Sequence, residues 1–125
     1  MEFDTLSNEI IGCAIEVHKT LGPGLLEKTY LKCLEYELKK IGHKVETEKE
    51  LPVKYKDIVI DFGYRMDIVV NNEIIVELKS VKEMSQIYEA QILTYMKLSE
   101  IKVGLLINFN VLKLKDGLRR FVLKF

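Results

Sequence analysis

Two short runs of β-branched residues, 65–70 and 74–79, constrain the fold of this chain more than any other feature. Such runs favour strands, and they are close enough in sequence to pair with each other. Three charged residues, Asp67, Glu77 and Lys79, interrupt them. Burying an unpaired charge in an apolar strand is costly. The charges therefore indicate either a functional site or a solvent-exposed strand edge.

The length of the turn between the two runs decides whether the two acids meet. A two-residue turn at Asn71-Asn72 would place Asp67 opposite Val76, on the face that Glu77 does not share. A three-residue connection places Asp67 directly opposite Glu77. Register follows the hydrophobic pattern, and only the three-residue register gathers one unbroken apolar face, made of Met66, Ile68, Val70, Ile74, Val76 and Leu78. We therefore predict an odd-length or bulged turn.

Two carboxylates on adjacent strands, with Lys79 one step along, form an oxygen-rich site suited to Mg²⁺ or Mn²⁺. Mg²⁺ takes one or two protein carboxylates and fills the rest of its shell with water and substrate phosphate. Lys79 would orient or deprotonate the attacking water, or stabilise charge on the phosphate. The alternative is an exposed cluster in which Lys79 pairs with Glu77, because acid–base pairs are common on strands. These residues alone leave both interpretations open.

Further polar candidates lie on two predicted helices. Glu27 lies one turn before Tyr30 and borders an apolar stripe, which favours a position facing the sheet. The helix dipole alone would also favour an acid there. Gln91 and Tyr95 share one face of a later, otherwise apolar helix. A buried amide needs a partner, which is either a substrate, the lysine, or simply the backbone.

The remaining pattern predicts an α/β fold, with a central mixed sheet flanked by helices. No repeat, linker or low-complexity tract divides the chain, so we expect one domain over residues 1–125. In chain order, the predicted elements begin with a helix over 5–20 and a second helix with Leu26, Tyr30, Leu34, Leu38 and Ile41 on one face and Gly42 as its C-cap. Strands follow within 44–64, with a turn near Lys56-Asp57, and then come the two runs described above. The last elements are a helix over 83–98, with Ile87, Tyr88, Gln91, Tyr95 and Leu98 along one stripe, and strands over 103–108 and 119–125.

Composition narrows the class of protein. No apolar run approaches the length of a membrane helix. Cys13 and Cys33 each fall in a helical apolar stripe, which predicts buried free thiols and a reducing cytoplasm. The formal net charge is zero, whereas a nucleic-acid-binding protein usually has a basic excess. Residues 1–63 carry 9 basic and 12 acidic side chains, and residues 64–125 carry 10 and 7. The charge of the chain alone therefore does not predict that it binds nucleic acid.

The charged residues of the two strands resemble the signature of the PD-(D/E)XK nuclease superfamily. Asp67 is followed by nine residues and then by Glu77-Leu78-Lys79. Met66 stands where the superfamily name has proline, a position that does not ligate metal. The resemblance implies a restriction-endonuclease-like fold and hydrolysis of a phosphodiester bond by metal-activated water.

Two helical motifs are similar to narrower branches of that superfamily. Gln91-x-x-x-Tyr95 resembles the additional motif of the RecB-type exonucleases. Gly24-x-x-Glu27-x-x-Tyr30 resembles the motif for which the GxxExxY family is named. The resemblance as a whole covers roughly residues 5–123, nearly the whole chain.

The resemblance implies a role for each candidate residue. The implied metal ligands are Asp67, Glu77, Glu27 and the backbone carbonyl of Leu78. The implied catalytic residues are Asp67, Glu77, Glu27 and Lys79. The implied supporting or substrate-contacting residues are Gln91, Tyr95 and Tyr30. The implied cofactor is Mg²⁺ or Mn²⁺, and the implied partner is nucleic acid, DNA before RNA.

Three functions fit the sequence. The first is a metal-dependent nuclease. The second is an inactive module that keeps the fold to bind nucleic acid or a protein, which the neutral charge favours and the intact acid–acid–lysine set opposes. The third is hydrolysis of a smaller phosphate ester. A chain this short offers little surface for holding a long duplex, so a homodimer is a further expectation.

Overall fold

Alternating helical and period-two patterns give three α-helices and seven strands in residues 4–125, the part of the chain that the computed structural model describes. The predicted domain also includes residues 1–3, which lie outside the described residues. The helices are α1 (Thr5–Leu21), α2 (Glu27–Lys40) and α3 (Gln86–Ser99). The strands are β1 (Val45–Glu50), β2 (Val53–Tyr55), β3 (Ile58–Ile60), β4 (Arg65–Val70), β5 (Ile74–Lys79), β6 (Val103–Asn108) and β7 (Leu118–Val122), with a 3₁₀ helix at Leu114–Gly117.

Five of the strands form one mixed sheet in the order β1-β4-β5-β6-β7. β5 and β6 run parallel and are connected through α3, whereas the other neighbours are antiparallel. β2 and β3 form a separate hairpin, inserted in the chain between β1 and β4. The predicted α/β fold with a mixed sheet flanked by helices is confirmed.

The sheet separates two hydrophobic cores. Beneath α1 and α2, Ile68 and Val76 pack with Tyr30, which is fully buried and stacks on Phe109 at a centroid distance of 4.4 Å. Beneath α3 lies a second core, built from Val69, Ile75, Ile92, Met96 and Leu106. Alternate residues of β4 and β5 therefore face different helices, as the period of a strand requires.

The core-facing side of α3 differs from the predicted stripe of Ile87, Tyr88, Gln91, Tyr95 and Leu98. Ile92 and Met96 are fully buried, whereas Ile87 is exposed. The cause is Gly104 in β6, where an added Cβ would lie 2.6 Å from Met96 Sδ. The missing side chain lets the helix approach β6 at Met96 and Ile92, so these residues, rather than Ile87, face the sheet.

The predicted stripe of α2 is also wrong at its two ends. Leu26 and Ile41 are exposed, whereas Tyr30, Leu34 and Leu38 are fully buried. Leu26 and Ile41 are the N-cap and C-cap residues, so they lie outside the turns that pack on the sheet. Gly42 follows the C-cap with φ +96° instead of being the C-cap itself.

Both thiols are free, as predicted. Cys13 is buried, also as predicted, whereas Cys33 is only half-buried. In residues 4–125, the longest helix falls short of what a membrane span demands in length and apolar character.

Candidate active site

The connection between β4 and β5 has the three residues, 71–73, that the hydrophobic pattern predicted. Asn71 and Asn72 have φ values of +53° and +57°. Asparagine adopts this left-handed conformation more readily than most side chains. The N–H of the third connecting residue donates to the last carbonyl of β4 at 2.9 Å. This turn sets the register that brings Asp67 opposite Glu77.

The carboxylates replace main-chain acceptors at the point where β4 and β5 separate. Regular pairing of the two strands ends at Ile68 and Val76. Beyond that pair, the N–H of Asp67 donates to Glu77 Oε2 at 2.8 Å, and the N–H of Leu78 donates to Asp67 Oδ2 at 2.8 Å. Each acid thus satisfies a main-chain donor of the opposite strand, which fixes both carboxylates in place.

Glu77 is buried and Asp67 is half-buried, and the charge of Asp67 disfavours ionisation of Glu77. Glu77 is 3% exposed, and burial together with the charge of Asp67 raises its pKa from 4.5 to about 8. Burial also raises the pKa of Asp67, although the N–H of Leu78 and the charge of Lys79 act in the opposite direction. A divalent cation between two such carboxylates removes the repulsion and favours their ionised form. The donor set therefore fits a hard cation such as Mg²⁺ or Mn²⁺.

Lys79 lies beside the acids, but within residues 4–125 it forms no ion pair with Glu77, which the alternative interpretation requires. Its Nζ lies 4.6 Å from the ring centroid of Tyr88, on α3. Burial is the larger effect and raises the pKa of both Asp67 and Glu77, whereas the charge of Lys79 lowers it. Because Glu77 is buried, the cluster is an interior site with a cation at its margin and not a solvated strand edge.

A pocket of about 310 Å³ opens next to Asp67 and is bordered by Glu27, from the first turn of α2. Glu27 is itself exposed, but its charge reaches both buried acids, adding to the effect of burial on their pKa. Within residues 4–125, no three His, Cys, Asp or Glu side chains are grouped closely enough to hold a metal. Glu27 therefore stands at the rim of the site, and its role as a ligand stays a prediction.

Glu48 is an acid of this pocket that the sequence analysis missed. It has φ +48° and lies where the pairing of β1 with β4 skips the position opposite Asp67. Its carboxylate forms ion pairs with Lys28 at 3.5 Å and Arg65 at 3.6 Å. The only signal was its position in a strand of alternating acids, which does not distinguish Glu48 from its neighbours.

Met66 does not join the predicted apolar face. Ile68 packs beneath α1 and α2, whereas Met66 packs in the core beneath α3. Even spacing would put both residues on one face. The skipped pair at Glu48 and Asp67 interrupts the alternation there, so that β4 turns Met66 to the other side.

Gln91 and Tyr95 are partners of each other. Gln91 Nε2 donates to the Tyr95 hydroxyl at 3.3 Å. Burial, followed by the charge of Glu77, raises the pKa of Tyr95. The Tyr95 phenol therefore lies close to the acid pair, and Gln91 reaches the site through it.

Tyr30 holds the loop that precedes α2. Its hydroxyl donates to the carbonyl of Gly22 at 2.6 Å and accepts the N–H of Leu25 at 3.1 Å. Ser80, directly after β5, donates from Oγ to the carbonyl of Leu25 at 2.6 Å. Because Tyr30 is fully buried, its position suits the supporting role predicted for it, fixing this loop against the end of β5.

Asn108 is a second residue that the sequence analysis missed. It is 2% exposed, and its amide accepts the N–H groups of Val81 and Asn110 at 3.1 Å and donates to the carbonyl of Val81 at 3.0 Å. The next residue, Phe109, donates its N–H to the carbonyl of Lys79 at 2.9 Å. These bonds fix the main chain at Lys79 and directly after it. The signal available in the sequence was that Asn108 is a polar residue at the end of the apolar run 103–108.

Comparison with known proteins gives one match. The family model of the PD-(D/E)XK nuclease superfamily matches residues 4–121. No curated protein and no solved structure matches the chain. The match includes both strands that carry the acids and the lysine, as well as the two helices that border them. The chain therefore belongs to the PD-(D/E)XK nuclease superfamily.

Proposed function

We propose that this protein is a metal-dependent nuclease that hydrolyses phosphodiester bonds of DNA, with RNA as the less favoured substrate. The placing of the buried Glu77 beside the half-buried Asp67, at the point where two strands separate, carries this proposal. Two like charges in an apolar sheet destabilise the fold unless a cation compensates them. Nuclease chemistry gives a reason for keeping them, because a carboxylate-bound cation also binds a phosphate.

Asp67 and Glu77 would hold a Mg²⁺ or Mn²⁺ ion, with the Leu78 carbonyl and Glu27 as further oxygen donors. Such an ion supplies Lewis-acid activation of water and neutralises charge on the phosphate. The hydrogen bonds from the main chain to both carboxylates keep the donors oriented before the ion arrives. A preorganised donor set needs little rearrangement during the reaction.

Lys79 would orient or deprotonate the attacking water or stabilise the negative charge that develops on the phosphate. Its place at the margin of the acid pair, over Tyr88, leaves the ammonium group within reach of a phosphate held by the acids. The Tyr95 hydroxyl, hydrogen-bonded by Gln91, would contact water or substrate at the same opening. Tyr30 would act indirectly, by holding the loop that leads to Glu27.

The narrower assignments complete the proposal. The motif at 24–30 supports membership of the GxxExxY group, and the free thiols support a cytoplasmic location. Residues 1–125 would form one domain, and the small size favours a homodimer on a long substrate. The second candidate is an inactive module that binds nucleic acid or a protein. The neutral net charge favours it, and the buried acid pair opposes it.

Calorimetric titration of Mn²⁺ and of Mg²⁺, followed by incubation with labelled oligonucleotides, tests the proposal. We expect the wild type to bind metal and cleave DNA, and Glu77→Gln to lose both while keeping its circular dichroism spectrum. Glu73→Gln, an exposed acid on the same hairpin, is the matched control and should behave as wild type. A wild-type protein that binds neither Mn²⁺ nor Mg²⁺, and that cuts no oligonucleotide, would support the inactive module.

A further inference from the structure

The basic side chains of this protein are concentrated in one segment of the sequence. Residues 111–125 carry five of the 19 basic side chains and one of the 19 acidic ones, which gives this segment a net charge of +4. The other residues carry 14 basic and 18 acidic side chains and therefore a net charge of −4. The neutral total thus hides a strongly basic segment, and its position in the fold decides what it can bind.

The basic segment lies at the end of the sheet that carries Lys79. Lys79 pairs with Asn108 across the parallel strands β5 and β6, and the N–H of Phe109 donates to the carbonyl of Lys79 at 2.9 Å. The 3₁₀ helix 114–117 packs on this end of β6, because Gly117 lies so close to the carbonyl oxygen of Asn108 that an added Cβ would clash with it. The helix is therefore only one strand away from Lys79.

Two exposed lysines flank the first residue of that 3₁₀ helix. Leu114 is buried in the core beneath α1 and α2, and it holds Lys113 and Lys115, on either side of it, at the surface. The carbonyl of Lys113 also accepts the N–H of Asp116 at 3.0 Å, which closes the turn. Within residues 4–125, neither lysine forms an ion pair. Asp116 is the one acid of the segment, so the two lysines outnumber it.

Arg119 lies in the same cross-strand row as Glu77. Glu77 pairs with Leu106 of β6, and Leu106 pairs with Arg119 of β7. Residues paired in this way point to the same face of a sheet, and neighbouring strands lie about 4.8 Å apart, so the main chain of Arg119 is about 10 Å from that of Glu77. Leu106 packs in the core beneath α3, which places Arg119 and Glu77 on that face.

The exposed guanidinium group of Arg119 is available to an anion. Its Nη1 donates to the neighbouring carbonyl of Leu118 at 2.9 Å, and Arg119 forms no ion pair in the part of the chain that the structure describes. By contrast, Lys28 and Arg65, which line the pocket beside Asp67, are both paired with Glu48. The cations at the β7 side of the site therefore differ from those in the pocket in having no acid that neutralises them.

We propose that Lys113, Lys115 and Arg119, together called the basic flank, bind backbone phosphates of nucleic acid. Three cations that no acid neutralises, grouped on one side of an acidic site, are complementary to a chain of phosphates, which such side chains bind whatever the base sequence. The strand then runs from the basic flank past the end of β6 and presents a neighbouring phosphodiester to Asp67 and Glu77. The role of the bound strand as substrate rests on the proposed nuclease function, whereas the binding itself does not.

Fluorescence anisotropy in EDTA, with a labelled DNA hairpin duplex as the probe, tests the binding without metal. The variant combines Lys113→Gln, Lys115→Gln and Arg119→Gln. We expect it to bind at least about ten-fold more weakly than the wild type at about 50 mM KCl. The slope of log K against log salt should also become shallower by about two to three, because each lost phosphate contact removes about 0.9 from it. Replacing the same residues with Lys113→Arg, Lys115→Arg and Arg119→Lys should retain the affinity.

The matched control removes three positive charges from the opposite end of the same sheet. Its exposed lysines lie just beyond the paired residues of β1, β6 and β7, away from Lys79, and the substitutions are Lys44→Gln, Lys102→Gln and Lys124→Gln. We expect the control to keep the affinity and slope of the wild type. Equal losses in the two triple variants would show that net charge, and not the basic flank, governs binding, and would overturn the inference. A wild type that does not bind the duplex at low salt overturns it as well.

Cleavage assays with Mn²⁺ separate this inference from the proposed function. We expect the triple variant of the basic flank to raise KM and to leave kcat close to that of the wild type, because the acids and Lys79 are unchanged. Binding through the basic flank without any cleavage by the wild type contradicts the nuclease proposal and supports the flank. Cleavage by the triple variant with the KM of the wild type supports the nuclease and overturns the flank.

Discussion

Glu77 accepts the main-chain N–H of Asp67 at 2.8 Å, so the two acids of the site are linked to each other directly. Asp67 in turn accepts the N–H of Leu78, the residue after Glu77. Each carboxylate therefore has its place fixed by the strand that carries the other. Four predictions follow from this arrangement and from the contacts that support it, in addition to the experiments given with the two proposals.

The pH dependence of stability should report the buried Glu77. Its pKa is about 8 in the folded protein and 4.5 without burial, so between these values the folded state holds more protons than the unfolded state. Stability in EDTA should therefore fall as pH rises from 4.5 to 8, by up to about 1.4 kcal/mol per pH unit, and not change further above pH 8. Urea unfolding at several pH values measures this slope.

Glu77→Gln keeps an oxygen acceptor for the N–H of Asp67 but cannot ionise, so its stability should fall less over this range, because only the raised pKa of Asp67 remains. Glu73→Gln, the exposed control, should keep the slope of the wild type. Identical slopes in the wild type and Glu77→Gln would show that the pKa of Glu77 is not raised.

Replacing Lys79 should separate catalysis from metal binding. Lys79→Met removes the charge at the margin of the acids, which lies over the ring of Tyr88, and keeps a side chain of similar length. We expect cleavage to slow by about 100-fold or more, since a charge acting at the transition state is lost. Metal affinity measured by calorimetry should stay the same or increase, because the acids lose a competing cation.

Lys82→Met removes an exposed lysine from the same segment and serves as the control, with cleavage close to wild type. Loss of metal binding in Lys79→Met with normal cleavage would contradict the assigned role.

The buried hydroxyl of Tyr30 should contribute to stability through the loop it holds. Tyr30→Phe keeps the stacking on Phe109 but leaves the carbonyl of Gly22 and the N–H of Leu25 without this partner. We expect a loss of about 1–3 kcal/mol in the free energy of unfolding, measured with urea. Tyr36→Phe, at an exposed tyrosine of the same helix, should change it little, and an equal effect of both variants would exclude a special role for Tyr30.

A side chain at Gly117 should disturb the support of the lysine strand. An added Cβ would lie only 2.2 Å from the carbonyl oxygen of Asn108, the residue that fixes Val81. We expect Gly117→Ala to destabilise the protein by about 1–3 kcal/mol and to reduce cleavage. Gly12→Ala meets no atom within 4 Å inside α1, so it should stabilise by about 0.5–1 kcal/mol. A neutral Gly117→Ala variant would contradict this contact.

The sequence by itself determined the local elements and the meeting of the two acids. Both depend on the periodicity of polar and apolar residues, and this periodicity can be read completely from residues that are neighbours in the sequence. Only one register of the runs 65–70 and 74–79 buries Ile68 and Val70 together with Ile74 and Val76, and that register places Asp67 opposite Glu77. The α/β architecture follows from the same patterns, together with the helices between them.

Tertiary contacts decided what periodicity could not. The side of α3 that faces the sheet depends on Gly104, a residue of another element whose missing side chain admits Met96. The face occupied by Met66 depends on the skipped pair at Glu48, on a strand far away in the chain.

The role of Asn108 could not be predicted for the same reason, because its side-chain amide hydrogen-bonds with the main chain of Val81, which is distant in the sequence. A local pattern records how one element alternates between polar and apolar residues. It does not record which residue of a distant element will lie against it, and that packing sets the support of this site.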